Sequence, residues 1–304
     1  MTARAPAKIN LYLGVGPLRK DGFHELATVF QALDLGDEVV AERDDSGAVT
    51  VEVVAPDTAM VDVDAVPRDA SNLAARAAAD LARYAGVDCG VRLTITKRIP
   101  VAGGLAGGSA DAAAALVACD AVWGTGCGRA ELATLGARLG SDVPFALHGG
   151  TALGSGRGER LAPVMSSGRL HWVLGVAEGG LSTPEVYAEL DRMRADMDVP
   201  APSVPQDLLG ALRRADAAAV SGSLGNDLQA AAIRRRPELS QVLTTGAERG
   251  ALGGIVSGSG PTVVFLAPNA QAAAALADAL VEGGTCAAAV ATTGAAGGAR
   301  VTAR

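Results

Sequence analysis

The spacing of apolar and polar positions divides the chain into a strand-rich opening and a helix-rich remainder. From Ala7 to Val15, the residues Ile9, Leu11 and Leu13 alternate with Lys8 and Asn10, which predicts a strand carrying a lysine and an asparagine on one face. Such a face is either simply solvated or a place where a rigid element points two polar groups the same way. Residues 17–22 predict a turn. Phe23-His24-Glu25-Leu26 then leads into a strand, or a strand and short helix, over 29–35, with further strands at 37–42 and 49–54 around the turn Asp44-Asp45-Ser46-Gly47. Ser71-Asn72, an alanine-rich run and Gly86 predict a capped helix over 72–85, and alternation over 91–98 predicts a strand that delivers the chain to a dense glycine stretch.

Beyond that stretch, the pattern predicts a buried helix over 110–122, a second helix over 129–139 stopped by Gly140, and short strands at 151–154 and 159–163. Polar residues Met165-Ser166-Ser167-Gly168 precede a continuous apolar strand over 171–177, and this shift sets a domain boundary between 1–167 and 168–304. Thr183 as a cap and Pro184 in the first turn predict a helix over 186–196. A proline-rich loop at 199–206 precedes predicted helices over 207–219 and 226–236, the second capped by Asn226-Asp227. Residues 253–266 read as strand, glycine turn and strand, 270–282 as a covering helix, and 285–291 as holding a last strand. The tail from Thr293 to Arg304, rich in glycine and alanine, is predicted to be mobile. The whole pattern is α+β, with an antiparallel sheet in the second half.

Composition narrows the possible functions. A chain of 304 residues that is 49% hydrophobic can bury one large or two medium cores. A net charge of −7 argues against a nucleic-acid partner, whose phosphates call for clustered lysine and arginine. Cys89, Cys119, Cys127 and Cys286 have neither metal-site nor disulfide-framework spacing, and the opening residues lack the apolar core of a signal peptide. Reduced thiols in a cytoplasm and no membrane partner are the expectations, since no apolar run is long enough to span a bilayer.

The chemistry concentrates in Pro100-Val101-Ala102-Gly103-Gly104-Leu105-Ala106-Gly107-Gly108-Ser109-Ala110, which runs straight into a helical pattern at Asp111. Glycines let backbone amides approach a ligand, and a helix start leaves unpaired N–H groups at its positive end, so a phosphate suits the place. The spacing matches neither the Gly-x-x-x-x-Gly-Lys loop nor Gly-x-Gly-x-x-Gly, so this is either a nucleotide loop of another class or a plain turn.

Four segments in order carry a resemblance: Ala7-Lys8-Ile9-Asn10-Leu11, the glycine loop, Gly140-Ser141-Asp142-Val143-Pro144-Phe145, and Ser257-Gly258-Ser259-Gly260-Pro261-Thr262. Together they resemble the GHMP kinase superfamily over residues of about 5 to 266. Asp21-Gly22-Phe23-His24 and the segment around Asp142 look like its branch acting on a cytidine diphosphate-linked methylerythritol. The resemblance implies a two-domain fold, with a ribosomal-protein-like N-terminal domain and a ferredoxin-like C-terminal domain. It also implies phosphoryl transfer from ATP, with Mg2+, to a tertiary hydroxyl, by a monomer or weak homodimer.

Residue by residue, the resemblance implies Lys8 and Asp142 as the catalytic pair, and residues 100–110 as the ATP loop, with Ser109 facing a phosphate or a magnesium-bound water. It implies Asn10, Phe23, His24, Thr183 and Tyr187 as contacts to the acceptor, with an aromatic on each side of a pyrimidine, and Gly258 and Gly260 as a turn closing the site. No direct protein ligand to the metal is implied. Where many family members carry glycine at 102 and 106 and serine at 110, this chain has alanine, and a methyl group is tolerated where φ is negative. Other readings are a homoserine- or mevalonate-type kinase and a non-catalytic nucleotide binder. Phe23, His24 and Tyr187 weigh against the first, and retention of Lys8 with Asp142 against the second.

Overall fold

The computed structural model describes residues 1–56, 61–101, 103–177 and 179–303. Ala102 of the glycine loop lies outside the described residues. Two long antiparallel strands form the spine, β1 (Thr2–Leu18) and β2 (His24–Asp44), paired from Thr2 opposite Val40 to Leu18 opposite His24 with register shifts at Pro6/Lys8, Asn10/Tyr12 and Val15/Leu18. The separate strands predicted at 29–35 and 37–42 are therefore one. Gly36 allows this, because a Cβ there would lie 2.4 Å from the Ala5 carbonyl oxygen of the neighbouring strand.

The chain continues through β3 (Val49–Val54), α1 (Leu73–Ala85), β4 (Gly90–Thr96), α2 (Gly107–Trp123), α3 (Arg129–Leu139), α4 (Val143–His148), β5 (Thr151–Gly156) and β6 (Arg160–Pro163). Asn72 caps α1, its side chain accepting from the Ala74 and Ala75 amides. β4 pairs with the second half of β2 and carries β3 on its far edge, while β5 pairs with Leu26 to Gln31 of β2. The alanines of α2 form the first core with Ile9, Leu11, Leu93 and Ile95, and their small side chains let the helix lie close on β1 and β2.

The second half contains β7 (Leu170–Val176), α5 (Thr183–Met193), α6 (Gln206–Arg214), α7 (Ala217–Gly222), β8 (Gly225–Asn226), α8 (Gln229–Arg235), α9 (Glu238–Glu248), β9 (Gly253–Val256), β10 (Val263–Ala267), α10 (Ala270–Glu282), β11 (Ala288–Gly294) and β12 (Arg300–Ala303). Strands β11, β7, β10 and β9 form an antiparallel sheet. Its core takes Val173, Val263 and Phe265, together with Leu13 and Val15 from β1. One strand thus feeds both cores, changing from the first to the second between Leu11 and Leu13, just past Lys8 and Asn10.

Four expectations are corrected. The tail is not mobile: Thr293 and Gly294 continue β11, and β12 pairs with β1 at Thr2, Ala3 and Arg4, so backbone hydrogen bonds hold it down. The helix predicted over 207–219 breaks at Ala215, which turns left-handed (φ 55°), and restarts with Asp216 accepting from the Ala219 amide. Asn226 is not a helix cap but lies in β8. Its amide donates to the Val256 and Gly258 carbonyls, and its oxygen accepts from the Leu228 amide. Thr183 is the first residue of α5, with Ser182 at the cap position, and its hydroxyl bonds Ser259 instead.

Candidate active site

A cavity of about 860 Å3 opens between the two halves. β1 and the glycine loop form one wall, and α5 with the turn at Gly258, Ser259 and Gly260 forms the other. One hydrogen bond ties the walls together, and another ties β1 to the loop within the first wall. The Ser257 hydroxyl donates to the Gly104 carbonyl at 3.3 Å, and the Lys8 amide donates to the Leu105 carbonyl at 3.1 Å. Gly104 has a φ of +73°, and a Cβ there would stand 2.3 Å from the Ser257 carbonyl oxygen, so only glycine permits this approach.

Lys8 and Asn10 are both buried, so their face of β1 is not a solvated one. The Lys8 ammonium donates to Asn10 Oδ1 at 2.8 Å, Asn10 Nδ2 donates to Thr28 Oγ1 at 2.8 Å, and the Thr28 hydroxyl donates to the Tyr12 carbonyl at 2.6 Å. This chain fixes the orientation of the ammonium, whose Nζ also lies 3.7 Å from Asp142 Oδ2 and 5.5 Å from the centroid of the Phe30 ring. Asp142 occupies the cap position of α4, yet its carboxylate makes no capping bond, and it lines the cavity. A carboxylate left unspent by its own helix and facing a buried cation can accept a proton or a hydrogen bond from a bound hydroxyl.

The glycine loop leads into α2. Pro100, Val101, Gly103, Gly104, Ala106, Gly107 and Gly108 line the cavity, whereas Leu105 and Ala110 are buried in the first core and Ser109 stands away from the cavity wall. The Ala110 amide is already spent on the Ala106 carbonyl, so the free donors of this helix end are those before it. The condition of a negative φ is not met at Ala106, because this residue caps α2 in the left-handed region (φ 60°, ψ 36°). A methyl group there costs about 1–2 kcal/mol, and glycine would remove that strain while adding about 0.5–1 kcal/mol of chain entropy. Ala106→Gly should therefore raise thermal stability slightly, by up to about 1 kcal/mol. A melting curve that shifts downward would show that the methyl group packs usefully.

On the opposite side, the His24 and Tyr187 rings stack with centroids 5.3 Å apart. His24 Nδ1 contacts the Gly16 carbonyl at 2.8 Å and Nε2 lies 3.3 Å from Asp191 Oδ1, so both ring nitrogens already have partners. Phe23 is 48% exposed at the cavity edge. The rings at 24 and 187 are thus already in contact, and Phe23 and Tyr187 both line the cavity. Burial, and then the Asp142 charge, push the Tyr187 phenol up, so it stays protonated.

Sequence reasoning missed one cluster. Lys97 is 2% exposed and donates to Asp37 and, at 2.8 Å, to Asp111 Oδ2. Asp37 also accepts from the Arg98 and Ile99 amides at 2.6 and 2.9 Å, which fixes the entry to the glycine loop. The only signal was an aspartate opening an otherwise alanine-rich helix. Lys97 and Asp111 both line the cavity, and Asp111 Oδ1 is buried without a partner. Burial pushes the Asp111 carboxyl well up from its ordinary 3.8, against the pull of Lys97 and with help from the Asp37 charge. A raised carboxyl pKa means the folded state holds its proton longer, so stability is lost as pH rises from 3.8 through the higher folded value. Asp111→Asn removes that loss. The variant should match or exceed the wild type in thermal stability at pH 8, and its advantage should shrink toward pH 4. A variant markedly less stable at pH 8 would mean that Asp111 stands ionised against Lys97.

Comparison with known proteins sets this geometry in a family. The family described as GHMP kinases N terminal domain matches residues 72–150, and GHMP kinases C terminal matches residues 208–286. A 4-diphosphocytidyl-2-C-methyl-D-erythritol kinase from Nocardia farcinica is 54% identical over 298 residues, covering 98% of this chain and 95% of its own. A crystal structure of 4-(cytidine 5'-diphospho)-2C-methyl-D-erythritol kinase superposes with a TM-score of 0.79 at 34% identity, covering 98% of this chain and all of that one. A Leishmania major mevalonate kinase structure in complex with R-mevalonate has a TM-score of 0.76 at 16% identity, over 98% of this chain and 97% of its own, which is a likeness of fold alone. With both domains matched and identity running the length of its relatives, this chain belongs to the GHMP kinases.

Proposed function

We propose that this protein transfers the γ-phosphoryl group of ATP to the 2-hydroxyl of 4-diphosphocytidyl-2-C-methyl-D-erythritol, in the non-mevalonate route to isoprenoid precursors. The observation that carries it is 54% identity, over nearly the whole of both chains, to a relative of that name. The cavity supports it with an unspent carboxylate facing a buried, oriented ammonium between a glycine loop and an aromatic-edged opening. Phosphoryl transfer asks the protein mainly for positioning and charge neutralisation.

In this reading Asp142 accepts or orients the hydroxyl proton, Lys8 neutralises charge at the transferred group, and Asn10 holds Lys8 and meets the acceptor. The free amides at Gly107 and Gly108 face the phosphates, and the turn at Gly258 and Gly260 closes over them. Phe23 and Tyr187 flank the pyrimidine. His24 supports Tyr187 from behind, and Thr183 is tied to the closing turn through Ser259. The two walls of the cavity correspond to a division of the chain near residue 168.

Mg2+ arrives with the nucleotide. In this reading the ion takes most of its ligands from phosphates and water. The same reading puts a monomer or weak dimer in the cytoplasm. Its four unpaired cysteines support a reducing compartment.

The test is ADP release from Mg-ATP by the purified protein with each of three alcohols. Turnover is expected with the cytidyl substrate and not with homoserine or mevalonate. Preference for either small alcohol would overturn the acceptor, and no turnover with any would favour a nucleotide binder.

A further inference from the structure

Arg157 lies in the turn between β5 and β6, flanked by Gly156 and Gly158 at φ +71° and +99°. The backbone of this turn is pinned by carboxylates. The Gly156 amide donates to Glu25 Oε1 at 3.1 Å, and the Arg157 amide to Glu159 Oε2 at 2.6 Å. Glu25 also pairs with Arg19, and the other Glu159 oxygen lies 3.9 Å from Arg160 Nε. With its backbone held, the Arg157 side chain reaches back over Phe23, its guanidinium carbon 4.9 Å from the ring centroid, and lines the cavity.

The charge balance of the cavity wall makes this arginine stand out. Lys8 faces Asp142, Lys97 is held by Asp37 and Asp111, and His24 faces Asp191. Among the described residues, no carboxylate pairs with the Arg157 guanidinium, whose partner is an aromatic face. A ring face holds a guanidinium in place, for about 0.5–1 kcal/mol at an exposed site, without neutralising it. The planar fork stays free to meet an anion bidentately while stacked, which lysine cannot do.

We infer that Arg157 binds the diphosphate of the acceptor and so selects a diphosphate-linked alcohol over its phosphate-free counterpart. This rests on the acceptor reading given above. The position beside Phe23 puts the charge on the acceptor's side of the cavity. Phe23 then serves twice, as a wall for the base and as the rest for the cation that takes the phosphates next to it.

The test is calorimetric titration of the wild type, Arg157→Ala and Arg157→Lys with CDP and, separately, with cytidine. Arg157→Ala should weaken CDP by roughly tenfold to a hundredfold, as expected for a lost charge-assisted contact, and leave cytidine within about twofold. Arg157→Lys should recover part of the CDP affinity, and the salt dependence of CDP binding should flatten in Arg157→Ala. An equal loss for CDP and cytidine would mean that Arg157 acts on the base or through Phe23, and no loss for CDP would leave it no role in binding; either overturns the assignment. If the wild type binds ATP but neither CDP nor cytidine, the acceptor reading itself fails, and this inference with it. Circular dichroism of the variants separates loss of binding from loss of fold.

Discussion

Asp142→Asn should lower kcat by about 10²–10⁴-fold while leaving ATP affinity within a factor of a few. The substitution keeps the size and planarity of the side chain and removes its charge and basicity. In the folded protein the carboxylate caps no helix, and its nearest cation is Lys8 at 3.7 Å. That distance is an ion pair rather than a tight hydrogen bond, so the oxygens remain available to a substrate hydroxyl. Lys8 does not depend on Asp142 for its orientation, because Asn10, Thr28 and the Tyr12 carbonyl hold it from behind. Loss of the carboxylate should therefore leave the rest of the site standing, so the defect falls on the chemical step. Steady-state kinetics with a separate ATP titration checks this, and wild-type kcat in Asp142→Asn would remove Asp142 from the reaction.

Lys97→Met should destabilise the protein by about 3–5 kcal/mol, the cost of leaving a buried charge uncompensated. Asp37 is fully buried, and two backbone amides still donate to it when the lysine is gone. Its second oxygen and Asp111 would then face each other with no cation between them. The double variant Lys97→Met, Asp111→Leu should be more stable than the single one, since it removes one of the two stranded carboxyls. Chemical denaturation of the three proteins measures this. A single variant as stable as the wild type would mean that the cluster contributes nothing to the fold. ATP affinity should fall in Lys97→Met as well, because Asp37 also anchors the Arg98 and Ile99 amides at the entry to the glycine loop.

The fold was legible where pattern and local chemistry agreed. The Asn72 cap and Gly86 stop bound α1 nearly as predicted, and the alanine run after the glycine loop is a helix buried on all sides. It was illegible where tertiary pairing overrode composition. Nothing in a glycine- and alanine-rich tail announces that Arg300 to Ala303 will complete a sheet begun by Thr2, because the partner strand lies almost the whole chain away. Asn226 reads as a cap from its neighbours and acts as a bracket between β8 and the closing turn, a role set by residues 30 positions on. For the site, short motifs gave the residues that share the cavity, since Lys8, Asn10, Asp142, Phe23, His24, Tyr187 and most of the glycine loop do line it. They did not reveal contacts between motifs. The stacking of His24 on Tyr187, the buried Lys97 cluster and the unpaired Arg157 each depend on side chains brought together by folding. The left-handed conformation of Ala106 belongs with these, because alanine gives no local warning of it.

The central claim, that the cavity joins ATP to the tertiary hydroxyl of a cytidine diphosphate-linked alcohol, is tested most directly by phosphorus NMR of the product. The protein is incubated with Mg-ATP and 4-diphosphocytidyl-2-C-methyl-D-erythritol. The account predicts one new phosphomonoester resonance, assigned to the 2-position by its carbon couplings, with the diphosphate signals intact and ADP formed in equal amount. A phosphate on a different hydroxyl, or ATP left unconsumed in the presence of this alcohol, would contradict it.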